Sequence, residues 1–447
     1  MNSISIGQSA VRRVYWRIVP FLFLLLLVNY LDRVNIGFAA LRMNQDLGLS
    51  ATAFGFGASI FFVGYALFEV PSNVFLHRFG ARRWIARIMI SWGLVSACMG
   101  FVQSETSFYV LRFLLGVAEG GFLPGVIYYL AQWVPEAHRG KANSGVVSAT
   151  ALASVVGAPL SGWILQSFPP LLGLHTWQWM FIVEAVPAVI LGIAVIFYLP
   201  DRPQDARWLD KQQRDWLVAE LESEQNLSKH TSVYSIARIL KIGRVWLLAS
   251  LFTCLLTALY GVLLWLPQII KHFGEHSDLE VGLLSALPFL CGGTIMLLNA
   301  RHSDRHRERR WHLAIPLLIG GLALLVSAWV TRETVSFLLL CIAAAGIWGG
   351  LGVFWTLTSD LLAGAAKAKA IALINTLAQV GGLVGPWMAG ILRESSGGFA
   401  VPLTALAFMA IIAAALAALV GRSSQAKRSP DLKGSHGRLK LREHFRP

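Results

Sequence analysis

Twelve apolar runs, each long enough to cross a bilayer, limit what this chain can fold into. They fall at about 17–38, 54–76, 84–103, 107–131, 142–167, 178–199, 244–270, 279–299, 311–330, 335–362, 367–392 and 398–421. A helical span needs roughly 20 mainly apolar residues. The expected fold class is therefore all-α and integral to the membrane, with twelve transmembrane helices. Composition agrees: 55% of the 447 residues are hydrophobic and 14% are charged, against about 25% charged in a soluble chain. The formal charge of +14 would suggest nucleic acid elsewhere. Here the basic residues sit in short loops between apolar runs, so a nucleic-acid partner is not expected and the lipid bilayer is.

One hydrophilic stretch, 201–243, divides the spans six and six and carries a helical pattern. The expected organisation is a six-helix bundle over 1–200, a central cytoplasmic segment over 201–243, a second bundle over 244–421 and a disordered basic tail over 422–447. Orientation follows Lys and Arg in short loops. Arg12, Arg13 and Arg17 precede span 1; Arg78, Arg82 and Arg83 follow span 2; Arg301, Arg305, Arg307, Arg309 and Arg310 follow span 8; Lys367 and Lys369 follow span 10; and eight more basic residues lie between Arg422 and Arg446. The opposite side offers Arg42, Lys271, Arg332 and Arg393. Both termini are expected in the cytoplasm of a bacterial cell, with the chain in the inner membrane as a monomer. The first apolar run has charges of its own and no small-residue cleavage site, so it reads as a retained span. Cys98, Cys254, Cys291 and Cys341 all fall in apolar segments and read as small packing residues.

The halves repeat. "HRFGARRW" (77–84) follows span 2 and "DRHRERRW" (304–311) follows span 8, an offset of 227. "GAPLSGWIL" (157–165) ends span 5 and "GPWMAGIL" (385–392) ends span 11, an offset of 228. Two unrelated matches at offsets one residue apart indicate a parallel duplication of six spans, the organisation of transporters whose halves rock about a central site.

These motifs, with Arg112 followed by Gly116 in span 4, resemble the major facilitator superfamily over essentially the whole chain. "NYLDRVNIGFA", "YALFEVPSN", "GARRWIARI", "RFLLGVAEGGFLPGVIYYLAQW", "YGVLLWLPQIIK" and "ALINTLAQVGGLVGP" are similar to its anion:cation symporter branch, and most to the tartrate transporters within it. That resemblance implies two pseudo-symmetric six-helix bundles and import of a small organic anion with protons. It implies a cavity lined by spans 1 and 4. It also implies substrate contacts at Tyr65, Trp355 and Asn375. The loop motif implies a gating salt bridge among Arg78, Arg82, Asp304 and Arg305. The first-half motif departs from the family in carrying His77 where an acid is usual, so that gate is expected to be lopsided.

Charge inside the membrane is the second constraint. An ionisable group at the bilayer centre costs roughly 2.5–3.5 kcal/mol on insertion scales. The first half nonetheless places Asp32, Arg33, Glu69, Arg112, Glu119 and Glu184 in spans, whereas the second has Asp360 near a cytoplasmic end. Arg112 and Glu119, seven apart, share a helix face, and Glu119 lies about 18 Å in at roughly 1.5 Å per residue. The same count puts Asp32 and Arg33 about 22 Å up span 1, in the outer half near Arg112. Neighbours on a helix diverge by about 100°, so Asp32 is expected to face Arg112 and Arg33 the cavity. An arginine fork suits a carboxylate, which makes Arg33 the first substrate candidate. Glu119 is the expected proton carrier, with the Asp32–Arg112 pair as runner-up. Glu69 is expected to be structural or to close the inner gate, and Glu184 to be a structural partner. Tyr260, Gln268, Trp355, Thr358, Asn375 and Gln379 are the polar candidates in the second bundle; Asn375 and Gln379 share a face.

No catalytic constellation, cofactor motif or P-loop is present, and no His/Cys cluster has metal-ligand spacing. The expectation is a proton-coupled transporter and not an enzyme. An exporter working by proton antiport and a transporter-like sensor are the alternatives. Two arginines at cavity depth weigh against the first, and a central segment of about forty residues is small for a signalling domain.

Overall fold

The computed structural model describes residues 3–228, 236–362 and 367–420; the expected basic tail lies outside them. Twelve of its helices are long and apolar enough to cross a membrane. Spans 1 to 6 are Ile6–Asp46, Ala51–Phe79, Ala81–Phe101, Glu105–Ala131, Glu136–Ser167 and Thr176–Tyr198. Spans 7 to 12 are Gly243–Phe273, Asp278–His306, Arg310–Ser327, Glu333–Leu361, Lys369–Ser396 and Ala400–Val420.

Local chemistry starts and stops these helices. Span 2 opens where Ser50 accepts the Ala53 amide at 3.2 Å, a side-chain N-cap. Reciprocal capping boxes at Ser104/Ser107 and Ser277/Glu280 open spans 4 and 8. Span 2 ends at Gly80, whose φ of 86° suits glycine. Span 4 is broken: one helix ends at Glu119, Gly121 adopts φ 87°, and the helix resumes at Phe122. Irregular backbone at membrane depth survives only inside protein or against a cavity. The break thus marks Glu119, the last residue of the half-helix, as part of an interior site.

Span 1 overruns its expected end at 38. Its helix continues to Asp46 because the polar residues there find partners: Arg42 donates to Asp278 at 2.7 Å, and Asp46 accepts the Trp177 indole at 2.7 Å. Hydropathy stops counting where charge begins, but the helix does not.

The pairing of spans repeats with a step of six. Span 1 packs on 5 as 7 does on 11, 2 on 4 as 8 on 10, and 3 on 6 as 9 on 12. Between the bundles, 2 packs on 11 and 8 on 5, again related by the same step. Glycine makes the closest of these crossings possible. A Cβ on Gly116 would collide with the Phe61 carbonyl, and one on Gly55 with the carbonyl of Pro386. The chain is thus a pair of pseudo-symmetric six-helix bundles.

On the face opposite the termini the bundles are tied together. Besides Arg42–Asp278, Glu394 accepts the Ser50 hydroxyl and the Thr52 amide, each at 2.8 Å. The Leu279 amide donates to Gln166 at 3.0 Å. On the face bearing the termini, helix Lys211–Ser228 packs on the first bundle: Arg139 pairs with Glu224 at 2.7 Å, and Gln213 donates to Ser9 at 2.7 Å.

Candidate functional site

Arg33 and Glu119 meet in the middle of the molecule. The Arg33 Nε donates to Glu119 Oε1 at 2.7 Å and its Nη2 donates to the same oxygen. The depth count had put Arg33 near Arg112. The extended span 1 moves it: Arg33 stands about 24 Å above Arg17 and about 20 Å below Asp46 at 1.5 Å per residue, the depth of Glu119. The Glu119 side chain is 1% exposed and that of Arg33 13%. The rings of Tyr30, Tyr65 and Phe61 lie 4.9, 5.1 and 5.4 Å from the guanidinium carbon, within cation–π reach. One carboxylate oxygen of Glu119, Oε2, has no hydrogen-bond partner among the described residues.

Asp32 turns the other way, as neighbours on a helix must, but not toward Arg112. It accepts the Trp92 indole at 2.8 Å, the Asn35 amide at 3.0 Å and the Ser96 hydroxyl. Arg112 instead donates to the backbone carbonyls of Gly57 (3.3 Å) and Ala58 (3.0 Å) and lies under the Phe61 ring. Among the described residues no carboxylate is within ion-pair distance of Arg112. The expected Asp32–Arg112 pair is therefore replaced by three neutral donors on one side and two carbonyls on the other. Trp92 and Ser96, four apart on span 3, were the missed partners. The available signal was that spacing, since i and i+4 share a face. Tyr30 was missed too, one turn before Arg33.

Asp32, Arg33, Arg112, Glu119 and Tyr260 line one small cavity with Phe61, Phe62, Leu115, Leu263 and Leu264. Its volume, about 10 Å³, admits about one water, so an organic acid needs the bundles or these side chains to part. Other candidates fall elsewhere. Asn375 donates to Glu69 at 3.2 Å across the bundles, which places Glu69 at a contact between them. Trp355 packs on Phe252 and Phe354, Thr358 is buried, and Gln379 is half-buried on span 11. Gln268 belongs to a different cavity, on the face opposite the termini. In the loop motifs, Arg82 pairs with Asp201 at 2.7 Å while His77 meets the Tyr128 hydroxyl at 3.1 Å. Arg78 lies over the Phe79 ring. Asp304 pairs with Arg309 at 2.6 Å, and Arg309 also reaches Asp360 at 3.5 Å; Arg305 is exposed. The halves thus solve the same loop with different acids.

Twin bundles with a buried ion pair in their seam define a membrane carrier. A sequence model of the Major Facilitator Superfamily matches residues 22–359 and 275–447, and the chain belongs to that family: it is a multi-pass transporter and not an enzyme. A "Putative tartrate transporter" of Agrobacterium vitis is 46% identical over 413 residues, 92% of this chain and 91% of that protein. A "Quinolone resistance transporter" of Acinetobacter baumannii is 40% identical over 416 residues, 92% of this chain and 95% of that protein. Among solved structures, a D-xylose–proton symporter superposes with a TM-score of 0.71 at 20% identity, covering 90% of this chain and 97% of that one. At that identity the likeness carries the fold.

Proposed function

We propose that the protein imports a small organic anion, a hydroxy-carboxylate such as tartrate, by proton symport and alternating access, from the inner membrane with both termini in the cytoplasm. The observation that carries this reading is the Arg33–Glu119 pair in an aromatic cage. Glu119 already occupies the guanidinium fork that a substrate carboxylate would need. A proton arriving at Glu119 neutralises it, frees the fork and lets the anion bind; without the proton the two carboxylates compete for one cation. Substrate and proton therefore load together. Asp32, held by neutral donors at the same cavity, is the second proton site. Arg112 adds positive potential, and Tyr260 and Tyr65 supply hydroxyls. The anion reading is supported by the tartrate-transporter name of the Agrobacterium relative. The Lys and Arg asymmetry supports the orientation.

A second reading, export by proton antiport, is supported by the name of the Acinetobacter relative; two arginines at one cavity favour the anion importer. The test is uptake of labelled organic acids, tartrate among them, into oriented proteoliposomes with and without an imposed proton gradient. Import expects accumulation only when protons are in excess on the face opposite the termini. Accumulation under the reverse gradient would establish export, and no gradient effect on any acid would sink both.

A further inference from the structure

Above the central site, on the face opposite the termini, spans 1, 7 and 11 and the turn into span 2 border a second cavity of about 490 Å³ that opens to solvent. It lies one helical turn beyond the central one: Gln268 lines the outer cavity and Leu264, four residues earlier, the inner. Between them the bundles meet closely where Gly37 abuts the Leu264 carbonyl, and within the second bundle the Trp265 indole donates to the Pro386 carbonyl at 3.0 Å.

The lining of this outer cavity is rich in donors and poor in acceptors. Lys271, His272 and Arg393 border it, with no acidic residue among the lining; Lys271 also donates to the His276 carbonyl and stands 3.6 Å from Asp278, which leaves Arg393 as the principal cation of the site. Arg393 donates to Gln268 Oε1 and is stacked between the rings of Trp265 and Phe399, at 5.1 and 4.4 Å. Gln268 is only 7% exposed, and Nε2 is buried without a partner. A buried donor left unmade costs about 1–3 kcal/mol, which a ligand oxygen reaching it from the cavity would recover. The nearest acids are engaged elsewhere: Glu394 by Ser50 and Thr52, Asp278 by Arg42 and Lys271. Asn44 faces the same cavity from span 1 with its Oδ1 buried and unpartnered, the complement of a ligand hydroxyl.

We infer that this cavity is a second anion-binding site for a hydroxy-carboxylate, separate from the Arg33 site and loaded while the bundles are closed on this face. The carboxylate sits on Arg393 and Gln268 Nε2 with Lys271 adding charge, and Asn44 accepts a hydroxyl. The site holds substrate at the mouth and hands it inward when the Arg42–Asp278 tie opens. The inference takes only its choice of ligand class from the organic-anion reading.

The experiment is calorimetric titration of the full-length protein in lipid nanodiscs with L-tartrate, then succinate. The parent is expected to bind tartrate in two steps. Arg33→Ala should remove the tight step and leave the weak one; Arg393→Gln should weaken the weak step at least ten-fold and leave the tight one. Lys271→Gln, an exposed change, should weaken the same step several-fold, which covers a misfolded Arg393 variant. Succinate, lacking hydroxyls, should bind the weak step several-fold less well. A weak step untouched in folded Arg393→Gln and Lys271→Gln would overturn the outer site, as would no binding in Arg33→Ala. A tight step that survives Arg33→Ala would instead overturn the central reading and leave this one standing.

Discussion

The two bundles repeat each other span for span, yet they bury different chemistry. The first encloses Asp32, Arg33, Glu69, Arg112, Glu119 and Glu184. The polar groups buried in the second are neutral, such as Thr257, Gln268, Ser285 and Thr358, apart from Asp278 at its rim. At the repeat offset of 227, Arg33 falls on Tyr260, Arg112 on Leu339 and Glu119 on Gly346. Tyr260 still lines the central cavity beside Arg33, so the position kept its place and lost its charge. Gly346 became a packing contact against Pro316 and Gly320. One scaffold thus carries two linings: the first bundle supplies the buried charge, and the second faces it with neutral and aromatic side chains. A single set of buried ionisable groups limits the desolvation cost to one side of the seam.

The comparison breaks most visibly at Arg33. Arg33→Ala leaves Glu119 buried without its cation, and breaking a buried pair from one side costs about 3–5 kcal/mol. Binding of labelled tartrate should fall more than about 100-fold. Arg33→Lys keeps the charge and loses the fork, and should fall at least about ten-fold. Equilibrium binding on detergent-purified protein reads both. Parent-like affinity in Arg33→Ala would move the substrate site out of the first bundle.

Next comes Glu119. Glu119→Gln mimics the protonated form permanently, so proteoliposomes should lose gradient-driven accumulation while still exchanging labelled for unlabelled substrate. Asp32→Asn tests the second acid in the same assay. Asp32 already faces three neutral donors, so this change should slow accumulation without abolishing it. The reverse pattern would swap the two roles, and accumulation in both variants would make the carboxylates structural.

What the sequence made legible follows the same division. Spans, repeat and the buried charges of the first bundle are conspicuous, because charge in an apolar run has few innocent explanations. The partners were harder to see. Asp32 is held by Trp92 and Ser96, neutral side chains that look like packing until span 3 is placed beside span 1. Span 1 looked short because Arg42, Asn44 and Asp46 interrupt its hydropathy, and that misplaced Arg33 by several residues of depth. Gln268 looked like a central contact because its apolar run gives no sign of where the seam closes.

A smaller effect is expected at the tie between bundles. Asp278 holds Arg42 at 2.6 Å and Lys271 at 3.6 Å, and Asp278→Asn weakens both contacts. If the second bundle closes the pocket, opening on this face should become more frequent. A cysteine placed at Leu264, on the seam, should react several-fold faster with a membrane-impermeant maleimide added from that face, while tartrate affinity stays within about three-fold. Unchanged labelling would mean that the tie plays no part in closure.

The smallest change is the sharpest test of the division. Tyr260 occupies the Arg33 position of the second bundle, with its ring 4.4 Å from that of Phe62 across the seam. Tyr260→Phe keeps that packing and removes one hydroxyl. A typical hydrogen bond contributes about 0.5–1.5 kcal/mol net, so substrate affinity should fall roughly two- to ten-fold. The proton dependence of accumulation should not move, because no charged group has been touched. The readout is therefore the ratio of accumulation with and without the gradient, measured at saturating substrate so that the affinity loss drops out. A ratio equal to the parent's keeps proton chemistry on the first bundle. A ratio near one would show that Tyr260 takes part in coupling, and the two halves would then share the charge work that their sequences assign to one.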